Sequence, residues 1–356
     1  MVSNQRKKNP PDGDGQNVVP LIKGRRATSY DVARLAGVSQ SAVSRCFKQG
    51  ASVSQKMRER VMKAAEELEY KPNAIARGLI TQRSNLVAVL VSGRLNLYYP
   101  EVLFRLTEEL SNVGLRALLF TVDSEDEAGA VVEQAWQFQV DGLISASHLS
   151  RDQYEILEKR KIPVVFFNRY FTDLPQDVVY CDPAAQVEEI VDRLKTLGHK
   201  KFALIKGPDF NMVNRERCAL VRKQVESVSG SNLIEAEGDF SYASGAAALQ
   251  DIMSAGSDRP TAIVCINDMM AMGCMDEARQ VLGLKVPDEL SIVSFDGIGM
   301  SQFASYELTT IRQPIGRMCK AAVNMVRARA SAPDQSNEKR VFEGALIEGG
   351  SIAAAP

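Results

Sequence analysis

Residues 30–47 read YDVARLAGVSQSAVSRCF, two short apolar-periodic segments on either side of one glycine. Ser29 is placed to cap a first helix that buries Val32, Ala33 and Ala36, and Gly37 to end it. Ser39 is placed to cap a second, which turns Ala42, Val43 and either Cys46 or Phe47 inward. A third helix begins at Ser54, carries Met57, Val61, Ala64, Ala65 and Leu68 at helical spacing, and stops at Lys71-Pro72-Asn73. The three make a compact unit over residues 27–72, preceded by a Pro-, Gly- and Asn-rich tail over 1–26 that is expected to be disordered.

A helix, a tight turn and a second short helix form the arrangement of a DNA-binding helix-turn-helix, whose second helix enters the major groove. Gln40, Ser41, Ser44 and Arg45 face away from Val43. Gln bonds adenine bidentately, Arg does the same to guanine, and Ser suits either. Ser29, Tyr30, Ser39, Ser44, Lys48 and Ser52 are suited to phosphates, which position a protein without reading sequence. Charge agrees. Residues 1–83 hold 16 Lys and Arg against 7 Asp and Glu, whereas the remainder holds 27 against 37. A basic front on an acidic body suits a chain whose one end meets a polyanion.

Beyond residue 84 the pattern changes. Apolar runs at 86–91, 117–122, 142–146, 163–167, 202–205, 262–266 and 291–295 read as strands. Helical stretches separate them at 101–113, 127–139, 184–197, 214–228, 242–254 and 268–281. Such alternation predicts parallel sheets covered on both faces, and its length predicts two doubly wound lobes. Ligands in these folds sit beyond the carboxyl ends of the strands, so the cleft between lobes is the expected small-molecule site.

The stretch TSYDVARLAGVSQSAVSRCF…VSQKMRERVMKAAEELEYKPNAIARGL resembles the headpiece of the lac/gal repressor family, without a gap from Thr28 to Leu79. VDGLI, IPVVFFNR, LKTLGHKKFALI, AIVCINDMMAMG, KVPDELSIVSFDGIG and LTTIRQP continue the resemblance in family order, to about residue 350. The resemblance implies an α/β fold: an N-terminal helix-turn-helix headpiece, then a two-lobed, periplasmic-binding-protein-like effector and dimerisation domain over 85–350. It puts Gln40, Ser41 and Arg45 at the base-reading positions. It makes residues 73–84 a hinge helix and linker, with Asn73, Ala76, Arg77 and Leu79 in the minor groove and Leu79 as the wedge that opens the central base step. NAIARGL is too short to stand alone as a helix, and Gly78 weakens it by about 1 kcal/mol relative to Ala, so hinge folding leans on DNA contact.

The resemblance also marks the cleft. Tyr98 and Tyr99 follow the first strand and offer an aromatic face. Arg169 ends the strand at 163–167, Arg217 matches a family arginine that reaches the ligand's hydroxyls or carboxylate, Asp296 matches a family carboxylate that takes ligand hydroxyls, and Phe240 matches a pocket aromatic. Asn267 closes the strand at 262–266, and Gln313 lies on a crossover strand. Asp268 fits a helix cap before Met269 as well as a ligand contact, and His199 reads as structural. Two departures stand out: Asp182-Pro183 where the family has Asp-Asn, and Asn168 where it has aspartate before the arginine. With Arg169 and Arg217 against a less acidic wall, an anionic ligand such as a sugar acid or phosphate is favoured.

The expected partners are therefore double-stranded operator DNA, a small-molecule effector and a second copy of the chain, since a two-fold operator doubles the contact of one small headpiece. No heptad tail follows residue 330, which argues against a tetramer. The function is that of a sequence-specific transcriptional regulator, a repressor controlled by a sugar, a sugar acid or a similar effector. An effector-dependent activator or corepressor-type regulator is the alternative, and a DNA-independent sugar-binding protein has no use for residues 27–84. No nucleotide-binding glycine motif, G-x-S-x-G or nucleophile–His pairing supports an enzyme. Two histidines and six scattered cysteines make neither a metal site nor a disulfide framework, and no cofactor is expected. With no secretory signal and no apolar run near the ~20 residues of a membrane span, the chain reads as cytoplasmic.

Overall fold

The computed structural model of the chain describes residues 26–48, 50–72, 83–92, 97–122, 125–209, 211–254 and 259–356. The hinge positions Asn73, Ala76, Arg77 and Leu79, and all but the last residue of the 1–26 tail, lie outside the described residues. The chain divides into two compact units, with the boundary between Thr81 and Gln82.

The first unit holds α1 (Ser29–Ala36), α2 (Gln40–Cys46) and α3 (Gln55–Glu67). Thr28, not Ser29, caps α1. Its amide and hydroxyl donate to the Asp31 carboxylate at 2.9 and 2.6 Å, closing a capping box one residue earlier than the serine suggests. Gly37 ends α1 at φ 62, a left-handed position that glycine takes without strain. Ser39 and Ser54 cap α2 and α3 through the amides of Ala42 and Met57. Val32, Val43, Cys46 and Val61 meet in one core, and Phe47 packs edge-on against Tyr70 at its rim. α3 stops before the proline, at Glu67, because Glu69 turns left-handed and the Tyr70 amide returns to the Ala65 carbonyl.

The second unit begins with lobe one. It runs β1 (Leu86–Ser92), α4 (Tyr98–Asn112), β2 (Arg116–Val122), α5 (Glu125–Gln137), β3 (Gly142–Ser145), α6 (Arg151–Lys159), β4 (Val164–Phe167) and β5 (Asp177–Asp182). Lobe two runs α7 (Ala184–Thr196), β6 (Lys201–Lys206), α8 (Met212–Glu226), β7 (Asn232–Glu237), α9 (Tyr242–Ser254), β8 (Ala262–Cys265), α10 (Asp268–Asp276), β9 (Ser291–Asp296) and β10 (Thr309–Arg312). The chain returns to lobe one for α11 (Ile315–Ser331) and β11 (Lys339–Glu343), then ends in lobe two with β12 (Ala345–Ile347). The sheet orders are β11-β5-β4-β3-β1-β2 and β12-β10-β9-β8-β6-β7, parallel except for β12 against β10. On β1 the alternation shows why both faces are covered: Val87, Val89 and Val91 enter one core, Ala88 and Leu90 the other.

All seven apolar runs form strands. Among the described residues, five further strands, β5, β7, β10, β11 and β12, two α-helices, α6 and α11, and a 3-10 turn over Gly299–Gln302 complete the body. The helix expected over 268–281 is α-helical only to Asp276 and continues as a π-helical turn over Glu277–Val281. All six cysteines are buried free thiols. Among the described residues no helix is long and apolar enough to cross a membrane.

Three segments join the lobes: Pro183, Gln313-Pro314 and Gly344. Register places them side by side, with Asp182 beside Glu343 on one sheet and Arg312 beside Ala345 on the other. A Cβ on Gly344 would lie 3.0 Å from the Ile311 side chain and 3.2 Å from the Arg312 carbonyl, so the crossings pack too closely for any other residue without a shift. β10 ends at Arg312, which leaves Gln313 just past the strand, on the crossing itself.

Candidate functional site

On the headpiece, Ser39, Ser41, Ser44, Arg45, Lys48 and Ser52 are exposed, and Tyr30 is 69% exposed. Gln40 and Ser29 are half-buried, and the Gln40 amide donates to the Ser29 hydroxyl at 3.3 Å. That bond ties the first turn of α2 to the first turn of α1. Arg58 on α3 fixes the other end of α2 by donating to the Cys46 carbonyl at 2.7 Å.

In the body, the lobes enclose a cavity of about 820 Å³ lined by Tyr98, Tyr99, Arg169, Arg217, Phe240, Asn267, Asp296 and Gln313 together with residues from both lobes. Strand ends and helix starts deliver these side chains. Tyr98 and Tyr99 open α4, Asn168 and Arg169 follow β4, Asn267 follows β8, and Asp296 ends β9. Three of the lining residues hold left-handed backbone without being glycine: Asn168 at φ 53, Phe240 at φ 72 and Asp296 at φ 105. Such conformations cost about 1–3 kcal/mol each and collect where a side chain must be aimed at a ligand. Phe240 lies so close over Gly207 that a Cβ there would fall 2.4 Å from its ring.

A hydrogen-bond chain runs from one lobe to the other through the crossing. Tyr98 donates to Gln313 Oε1 at 2.9 Å, and Asn168 Nδ2 donates to the same oxygen at 2.6 Å. Gln313 Nε2 donates to Asp296 Oδ1 at 3.2 Å, and Arg217 donates to that oxygen at 2.8 Å. Arg217 also donates to the Ile266 carbonyl at 2.7 Å and stacks over Phe295. Burial opposes the Arg217 charge, but the Asp296 carboxylate outweighs it and holds the guanidinium above its ordinary pKa. Burial, reinforced by the Asp296 charge, raises Tyr98 well above the usual phenol value and keeps it a neutral donor.

Two assignments take a different shape. Asn267 is itself the cap of α10, accepting from the Met270 amide at 3.0 Å and donating to the Phe240 carbonyl at 2.9 Å. Its amide thereby locks Phe240 in place. Asp268 neither caps nor lines the cavity. It is buried behind it, accepting from Ser294, from Thr310 at 2.6 Å and from the Ile298 amide at 2.7 Å. Burial, with the Asp296 charge second, pushes its carboxyl up to about 7. His199, bonded to Thr261 and the Ala353 carbonyl, is structural. Asn168, noticed in the sequence only as a departure, ties lobe one to the crossing: its Oδ1 accepts from the Cys181 amide at 2.9 Å while Nδ2 reaches Gln313 and Tyr98. An aspartate there lacks the donor that this chain uses.

Residues 28–73 match the bacterial regulatory proteins of the lacI family, and residues 191–352 match a periplasmic binding protein-like domain. The chain is 31% identical over 333 residues to the HTH-type transcriptional repressor PurR of Vibrio vulnificus (strain CMCP6), covering 89% of this chain and 95% of that protein. It is 30% identical over 338 residues to the HTH-type transcriptional repressor CytR of Escherichia coli (strain K12), covering 93% and 97%. The crystal structure of the lac repressor dimer bound to operator and the anti-inducer ONPF superposes with a TM-score of 0.84 at 25% identity, over 93% of this chain and all of that one.

Proposed function

Because the chain belongs to the lacI family of bacterial regulatory proteins, we propose that it represses transcription from a two-fold operator and that a small molecule held between the lobes sets its operator affinity. The observation that carries this reading is the chain Tyr98–Gln313–Asp296–Arg217, which runs from lobe one through the crossing to lobe two, so that a ligand seated along it meets both lobes. A ligand shifts an equilibrium only through its different affinity for two arrangements, and a network bonded to both lobes supplies that difference.

Residues 27–72 are assigned to operator binding, with Gln40, Ser41 and Arg45 reading bases and Ser29, Tyr30, Ser39, Ser44, Lys48 and Ser52 meeting phosphates. Residues 73–84 are assigned to the hinge, with Asn73, Ala76, Arg77 and Leu79 toward the minor groove, and 85–350 to effector binding and dimerisation. Among the described residues the outer edge of β2 is unpaired in the single chain. Leu119 on it, Phe104 on α4, and Met300 and Phe303 in lobe two are exposed apolar side chains suited to a homodimer contact.

The test begins with operators selected from a random duplex library by the purified protein. Arg45→Ala should lose about 1–3 kcal/mol on the selected sequence and relax preference at one base pair per half-site. Equal loss on selected and random duplexes makes Arg45 a phosphate contact and removes the base-reading assignment.

A further inference from the structure

We propose that the effector is an anion, bearing a carboxylate or a phosphate, and that Arg169 is the residue that seats its charge. The inference rests on the reading of the cleft as the effector site and adds the ligand's chemistry. The cavity is lined by three arginines, Arg169, Arg215 and Arg217, against two aspartates, Asp173 and Asp296. Both carboxylates are engaged. Asp296 is bound by Arg217 at 2.8 Å inside the cavity, and Asp173 pairs with Arg151.

Arg169 has no carboxylate partner among the described residues. Its guanidinium donates to the carbonyl of its own neighbour Asn168 at 2.9 Å and, at 3.4 Å, to the Tyr99 hydroxyl, which itself reaches the Ala146 carbonyl. A guanidinium has five N–H donors in a fork that matches a carboxylate or phosphate edge, and two of the five are used. Arg169 is half-buried already, so a ligand filling the cavity strips most of its remaining water. A neutral ligand would leave a dehydrated cation uncompensated, which is strongly unfavourable, whereas an anion replaces the lost water. Arg217 cannot take this part, because an anion placed on it also meets the Asp296 carboxylate. The first turn of α8, through Asn211, Met212 and Val213, lines the same cavity and brings the positive end of a 15-residue helix to it.

The experiment is a thermal-shift screen of the full chain against matched sets: glucose with gluconate and glucose 6-phosphate, ribose with ribose 5-phosphate, and inosine with inosine monophosphate. Calorimetry of the binders follows at low and high salt. A charged member should bind while its neutral counterpart does not, and its affinity should fall with salt. Arg169→Met should weaken it by about 10- to 100-fold, with Arg169→Lys recovering part of the loss. Affinity that rises between about pH 5 and pH 7 identifies a phosphate, whose second ionisation lies near 6, and a flat profile identifies a carboxylate. Neutral members binding as tightly as charged ones, anion binding untouched by Arg169→Met, or no anion in the screen binding at all overturns the proposal. If a neutral ligand binds and Phe240→Ala abolishes it, the cleft reading stands and only the anion falls. Binding indifferent to both Phe240→Ala and Arg169→Met takes the cleft reading down as well.

Discussion

Asp268 lies within a protein interior that, among the described residues, gives it three donors and no cation, directly after the lining residue Asn267 but not itself in the cavity. Burial raises its carboxyl to about 7, against about 3.9 for an unfolded aspartate. Over that interval the folded chain holds a proton that the unfolded chain has released, so this group favours folding below about pH 4 and its contribution is lost as pH rises to about 7. Asp268→Asn keeps the shape and lets the amide donate to Ser294 and Thr310 while its oxygen accepts from Ile298. Urea unfolding from pH 4 to pH 8 should show a shallower decline of stability with rising pH in the variant than in the parent, and parallel curves would refute the assignment. Taking the difference between the two proteins removes His199, whose burial lowers its pKa and acts in the opposite direction. The partners of Asp268, like those of Asn168, were not legible in the sequence. Asn168 and Gln313 are 145 positions apart, and no local spacing encodes which side chains meet across a crossing.

At the level of elements, periodicity carried most of the fold. Runs rich in Val, Ile and Phe became the central strands because both faces of a parallel sheet are covered. Two of the missed strands explain themselves by the same rule. β7 (NLIEAE) and β11 (KRVFE) lie at sheet edges, mix half-buried with exposed positions and carry charge, so they never form an apolar run. In α11, Ile315, Met318, Cys319, Ala322, Met325 and Val326 keep helical spacing, so that element's signal was present in the sequence. The polar face of α2 was legible because only its apolar residues turn inward. What holds α2 in place was not, since Arg58 reaches the Cys46 carbonyl from α3. Arg58→Met should therefore weaken the headpiece by about 1–2 kcal/mol, seen as faster amide exchange over residues 40–46, and leave base preference on a selected operator unchanged. A changed base preference would place Arg58 on the DNA instead.

For the whole molecule, the basic front predicts binding that falls steeply with salt, each neutralised phosphate adding about −0.9 to the log–log slope. A nearly flat response is incompatible with the helix-turn-helix meeting DNA. The site was legible at this scale because strand ends and family landmarks coincide, and all eight effector candidates line one cavity. The central claim is that occupancy of this cavity sets operator affinity, and reciprocity tests it most directly. Operator affinity is measured with and without a saturating ligand from the screen, and ligand affinity with and without saturating operator. The account predicts the same factor in both directions, about 5- to 150-fold, and its disappearance in Gln313→Ala, which cuts the bonded link between the lobes. A ligand that binds the cavity and leaves operator affinity unchanged would contradict it.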